Sequence, residues 1–118
     1  MNSPVFSLLV LRSSNPDALL PFYNALGLEF QSEQHGSGPI HFSCEIGEVV
    51  LEIYPPKKGQ TDAEISGPML GFRVDSLEKT LETLRALGVE IPVIKTADWG
   101  RFCNVRDFDG RTVQLSEK

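Results

Sequence analysis

Two short stretches decide how this chain is read: "ALGLEF" at residues 25–30 and "ALGVEI" at residues 86–91, 61 positions further on. Each closes a segment whose apolar residues recur at helical spacing. Before the first these are Leu19, Phe22, Tyr23 and Leu26, and before the second Leu77, Leu81, Leu84 and Leu87. Each holds a glycine, Gly27 or Gly88, where a left-handed C-terminal cap belongs. Each then opens into a segment of strand character. The echo marks one helix-to-strand joint written twice.

Working outward, the same order of elements surrounds both copies. Val5–Leu11 is an apolar run that reads as a strand, and Asn15 followed by Pro16 supplies a helix N-cap and first helical position. Pro21 lacks a backbone donor, which predicts a kinked or late-starting helix. Three strands follow from Leu28, broken at the turn-like "HGSGP" and "IGE", the last being "VVLEIY" at 49–54. The polar segment 56–66 reads as a flexible linker. Then Met69–Val74 is a strand, Asp75 or Ser76 caps a second helix, and strands follow near 90–95, 100–106 and 111–116. The chain is thus two half-modules, about 3–55 and 67–118, each strand-helix-strand-strand-strand, within a single domain spanning 1–118. A module of about 55 residues leaves one sheet face bare, too little burial to stand alone. Two such modules shield each other, in one chain or exchanged between two.

Composition narrows the functional classes. A net charge of -5 and a pI near 4.9 argue against a nucleic-acid partner, which needs clustered Lys and Arg. A cationic ligand is mildly favoured, although a charge that simply maintains solubility is the plainer reading. Cys44 and Cys103 form no C-x-x-C pattern and read as buried reduced thiols. The first residues carry no basic region ahead of their short apolar run, and nothing approaches a membrane span. The expected compartment is the cytoplasm.

"FYNALGLEF" after the first helix, "LGFRVDS" opening the second half and "WGRFCNVRDFDGRTVQL" at the end together resemble the vicinal oxygen chelate superfamily of glyoxalase I, bleomycin-resistance proteins, fosfomycin-resistance enzymes and extradiol dioxygenases. The resemblance spans essentially the whole chain. It implies an α+β fold in which two βαβββ modules form a cupped mixed sheet with helices on the outer face, usually in a homodimer. In catalytic members of the family, four strands present His, Gln or Glu to a divalent metal. Carried over by position, those places here are Ser7 or Leu8, Glu52, Met69 and Gln114. Glu52 alone is a good ligand for a hard metal, Gln114 is a weak one and Met69 suits soft ions only. Catalytic metal sites use about three protein ligands. The expectation is therefore no cofactor, a divalent metal being the less expected alternative.

Strand alternation names what else shares the cup. Val50 and Tyr54 accompany Glu52, Leu9 and Leu11 follow Ser7, Gly71 and Arg73 follow Met69, and Thr112 and Ser116 flank Gln114. Trp99, Arg101 and Cys103 form one set whose face alternation does not fix. The candidate ligand-binding residues are Leu9, Glu52, Tyr54, Met69, Arg73, Trp99, Arg101 and Gln114. Plainer readings stand beside them: a Glu52–Arg73 structural ion pair, aromatics at a core or rim, and Met69 as packing. His41 shares a face with Ser43 and Glu45, either toward the cup or away from it. His41 with Glu45 or Glu52 is the one candidate for a different metal trio. His35 reads as a turn residue.

These residues point first to a protein that sequesters a small organic molecule, as bleomycin-resistance proteins do. The alternative is an enzyme, glyoxalase-like lyase or dioxygenase-like, with a degenerate or metal-free site using Glu52 as general base. A third reading is a module that only dimerises or regulates a partner.

Overall fold

In the computed structural model, which describes residues 3–118, the echoed stretches close two helices in the same way. Gly27 N–H donates to the Asn24 carbonyl (2.9 Å) and Leu28 N–H to that of Tyr23 (3.3 Å). Gly88 N–H donates to Arg85 (3.0 Å) and Val89 N–H to Leu84 (3.1 Å), the same pair of bonds in the second copy. Both glycines have positive φ, 101° and 90°. This is the Schellman arrangement, which satisfies the last carbonyls of a helix and turns the chain into the next strand.

The first half holds β1 (Leu8–Arg12), α1 (Pro16–Asn24), β2 (Gln31–Glu33), β3 (His41–Ile46) and β4 (Val49–Tyr54). The second holds β5 (Leu70–Val74), α3 (Leu77–Ala86), β6 (Lys95–Ala97), β7 (Gly100–Arg106) and β8 (Thr112–Glu117). Each half forms its own four-stranded mixed sheet, ordered β1-β4-β3-β2 and β5-β8-β7-β6. Asn15 caps α1 as its pattern predicts, accepting from Ala18 N–H at 3.3 Å. The helix begins at Pro16 and runs through Pro21, so the late start that Pro21 suggested does not occur. Pro92 interrupts the run near 90–95, and β6 forms only at Lys95–Ala97.

Segment 56–66 is more ordered than a flexible linker. It contains α2 (Asp62–Ser66), closed by a capping box in which Thr61 and Glu64 satisfy each other's backbone donors. Ile65 on α2 is buried.

One hydrophobic core serves both halves. Leu11, Leu19, Phe22, Tyr23, Leu51 and Ile53 from the first join Val74, Leu77, Leu81, Leu84, Val105, Val113 and Leu115 from the second. Tyr23 of α1 packs at 6.2 Å from the Phe72 ring of β5, and Phe22 meets Phe108 edge-on at 5.8 Å. The two modules therefore share their helix-side faces. Their other faces turn away from this core, and the molecule is flat, 46 × 45 × 25 Å. Its radius of gyration of 15.2 Å exceeds the roughly 13–14 Å expected of a spherical chain of this length. Among the described residues no helix is long and apolar enough to cross a membrane.

Candidate functional site

Register settles which side chains share a face. In the first sheet Val10 pairs with Glu52, Ser43 with Glu52 from the other side, and Glu33 with His41. Val10, Arg12, Glu33, His41, Ser43, Glu45, Val50, Glu52 and Tyr54 therefore lie on the face opposite the core. Leu9 does not join them. It pairs with Leu51, and with Leu11 it packs toward the helices, so placing Leu9 in the cup is corrected by one residue. In an apolar strand both faces read alike, which is why alternation counted from Ser7 chose the wrong one.

In the second sheet Gly71 pairs with Gln114 and Arg73 with Ser116, while Phe102 and Asn104 come across from β7. Arg101 and Cys103 point the other way. Arg101 is held by Glu78 of α3 and by Glu117 (2.9 Å), and Cys103 is buried in the core. Trp99, 61% exposed, lies in the β6–β7 turn and stacks on Phe102 with ring centroids 4.9 Å apart. Met69 is exposed just ahead of β5. A groove of about 480 Å³ lies over this sheet, lined among others by Gly71, Arg73, Trp99, Gln114 and Ser116, with Arg101 at its edge. Phe102 and Asn104 are cup-face residues that sequence reasoning missed, because the parity of β7 relative to β8 was not legible.

The two half-sites are not joined within one chain. The groove over the second sheet is lined wholly by residues 71–117, and Glu52 is not among them. No ion pair among the described residues links Glu52 to Arg73. Glu52 instead lies beside His41, whose ring stacks on Tyr54 at 4.0 Å, nearly parallel. Arg12 covers the same Tyr54 ring at 5.0 Å.

What binds the halves is the "RDFDG" segment. The Asp107 carboxylate accepts from Tyr23 Oη (2.7 Å), Arg111 Nη1 (2.5 Å) and two backbone donors, Asp109 N–H and Arg111 N–H. The fully buried Arg111 donates onward from Nη2 to the carbonyls of Arg12 (2.7 Å) and Ile65 (2.8 Å). One guanidinium thus ties β1, α2 and the β7–β8 turn together. Burial and the neighbouring Asp107 charge push the Tyr23 phenol well above its ordinary value.

Comparison with known proteins assigns the family. Residues 6–115 match the model of the Glyoxalase/Bleomycin resistance protein/Dioxygenase superfamily, and the chain belongs to that superfamily. A search of curated proteins finds no match. Among solved structures it is similar to TnmS3, an antibiotic binding protein from Streptomyces, at 19% identity and a TM-score of 0.78, covering 99% of this chain and 98% of that one. It is also similar to a bleomycin resistance determinant encoded on the transposon Tn5, at 19% identity and a TM-score of 0.66, covering 98% of each. The oxidase ChaP-H2 is similar at 19% identity and a TM-score of 0.73, covering 99% and 95%. At these identities the likeness is one of fold.

The residues at the family's usual metal positions do not fit the metal. Glu52 brings one carboxylate, Gln114 an amide, and the exposed Met69 a thioether. Of Ser7 and Leu8 at the first position, Leu8 is the one whose pairing with Val50 puts it on the face of Glu52, and it brings no donor. That falls short of about three hard or borderline ligands.

Proposed function

We propose that this chain binds a small organic molecule, in the manner of a bleomycin-resistance protein, in a cup that a second copy of the chain completes. The observation that carries this reading is the pair of open cup faces turned away from a shared core. One is the groove with its Trp99–Phe102 platform, Arg73 and Gln114. The other is the face with Tyr54 and the carboxylates of Glu33, Glu45 and Glu52. Aromatic planes with a few polar groups suit a planar organic ligand. The acidic balance suits a cationic one.

The second copy is argued from the edges. Strands β1 and β5 are edge strands of their sheets, and exposed Val5, Phe6, Leu8 and Met69 lie on or beside them. Unpaired edges with apolar side chains call for a partner. Pairing the first half of one chain with the second half of its mate brings Glu52 and Gln114 into one cup. The ligand is held by side chains with no metal at the family's positions. Cys44 and Cys103 are free and buried, which suits the reducing cytoplasm.

Trp99 is the only tryptophan, so intrinsic fluorescence reports on the groove. Titration with a panel of planar cationic antibiotics and aromatic metabolites is expected to give saturable quenching for at least one member. A panel that changed neither Trp99 emission nor the melting temperature would count against the reading.

A further inference from the structure

The hairpin joining β2 to β3 gathers a cluster of ligating side chains at one end of the first sheet's cup face. β2 ends at Glu33 and β3 begins at His41, and the antiparallel register sets them opposite each other. His35, in the connecting loop, returns over His41 with ring centroids 5.1 Å apart. Glu33 Oε1 lies 3.4 Å from His41 Nε2, and Glu52 Oε2 lies 3.6 Å from the same nitrogen. The ligand atoms of Glu33, His35 and His41 all fall within 4.8 Å of one another.

His41 makes this more than a chance gathering. It is 1% exposed, and its Nε2 has no hydrogen-bond partner. Its Nδ1 lies 3.3 Å from the Pro39 carbonyl, which only accepts, so Nδ1 carries the hydrogen. Nε2, left without a hydrogen-bond partner, is aimed at the carboxylates of Glu33 and Glu52, which are themselves acceptors. Burying acceptors against one another is unfavourable, and a cation at that point removes the conflict. An Nδ1–H held by a backbone carbonyl is also the arrangement that orients Nε2 as a metal ligand. Stacking on Tyr54 at 4.0 Å locks the ring.

We propose that Glu33, His35 and His41 form a site for a divalent metal ion of borderline softness, such as zinc, nickel or cobalt, with Glu52 beside it as a fourth ligand. Two imidazoles with one or two carboxylates suit such ions, whereas calcium and magnesium favour oxygen alone. His41 is fixed, while the exposed His35 and partly exposed Glu33 are free to close on the ion. The site lies within one half of one chain and needs no second copy, so metal binding can be tested apart from the ligand-binding reading, with which it shares Glu33 and Glu52. It also differs from the four strand positions that the family resemblance marks, sharing only Glu52 with them.

The test is cobalt titration of untagged, chelator-stripped protein, followed by cobalt's visible ligand-field bands and by competition with a chromophoric chelator. About one ion per chain is expected. His35→Ala and Glu33→Gln should each weaken binding at least about tenfold, as even loss of an outer-shell partner does. Neither side chain is buried in the core, so both variants should melt like the parent protein in chelator. Cobalt bound equally well by the parent and both variants would overturn the site. So would no retained cobalt.

Discussion

Tyr23 and Asp107, 84 residues apart, meet in a buried hydrogen bond of 2.7 Å that joins the first half of the molecule to the second. Asp107 is also the partner of Arg111, so phenol, carboxylate and guanidinium form one network across the module boundary. The acidic turn therefore has a structural task beyond closing a hairpin.

Arg111→Met should be strongly destabilising. It strands a buried carboxylate and leaves the Arg12 and Ile65 carbonyls without their donor, at a cost of about 3–5 kcal/mol. Tyr23→Phe removes one hydrogen bond to a charged acceptor and should cost about 1.5–3 kcal/mol. Urea unfolding of both single variants and the double variant checks this. Strictly additive losses would contradict a coupled network.

Stability should fall in alkali because of Tyr23. Its phenol is raised in the folded state by burial and by Asp107, so the folded chain holds that proton more tightly than the unfolded chain. The contribution is whole below the unfolded pKa of about 10 and is lost as pH rises above it. Denaturant midpoints measured from about pH 8 to about pH 11 should decline less steeply for Tyr23→Phe than for the parent.

Gly88→Ala should cost roughly 1–2 kcal/mol, and Gly27→Ala a similar amount. A methyl group at either position meets nothing within 4 Å, so the cost is conformational, from φ values of +90° and +101°. Asn, which tolerates the left-handed region better, should recover part of it. Thermal melts that left either alanine variant unchanged would refute the assigned cap geometry.

Both cysteines should resist alkylation in the native protein. Burial pushes the thiols of Cys44 and Cys103 upward, so near neutral pH each is in its unreactive protonated form. Iodoacetamide followed by mass spectrometry should find two unmodified thiols before denaturation and two modified ones after it.

If a cup joins Glu52 of one chain to Gln114 of its mate, variants defective at either position should complement. A mixed dimer of Glu52→Gln and Gln114→Ala chains has one cup altered twice and one intact. Ligand titrations of such a dimer should recover half the parent's sites. Recovery of none would place both residues in one chain's cup.

Much of this molecule was legible in its residues. Glycines at equivalent joints, helical spacing of leucines and alternating strands are local signals, set within a few residues by backbone sterics and burial. They gave the two modules, the family resemblance and the face shared by Glu52 and Tyr54. The Glu33–His35–His41 cluster was hidden because His35 looks like an ordinary turn residue until the hairpin register sets Glu33 against His41. That pairing depends on loop geometry, which no single residue announces.

The repeated βαβββ unit and the chemistry available at each strand position follow from short-range pattern and residue type alone. That the modules share their helix faces and leave the cups open, that Leu9 turns from the cup while Arg101 is held at its edge, and that Arg111 fastens the halves came from packing. Those outcomes depend on which surfaces, distant in the chain, bury one another best. That competition is settled by packing in three dimensions.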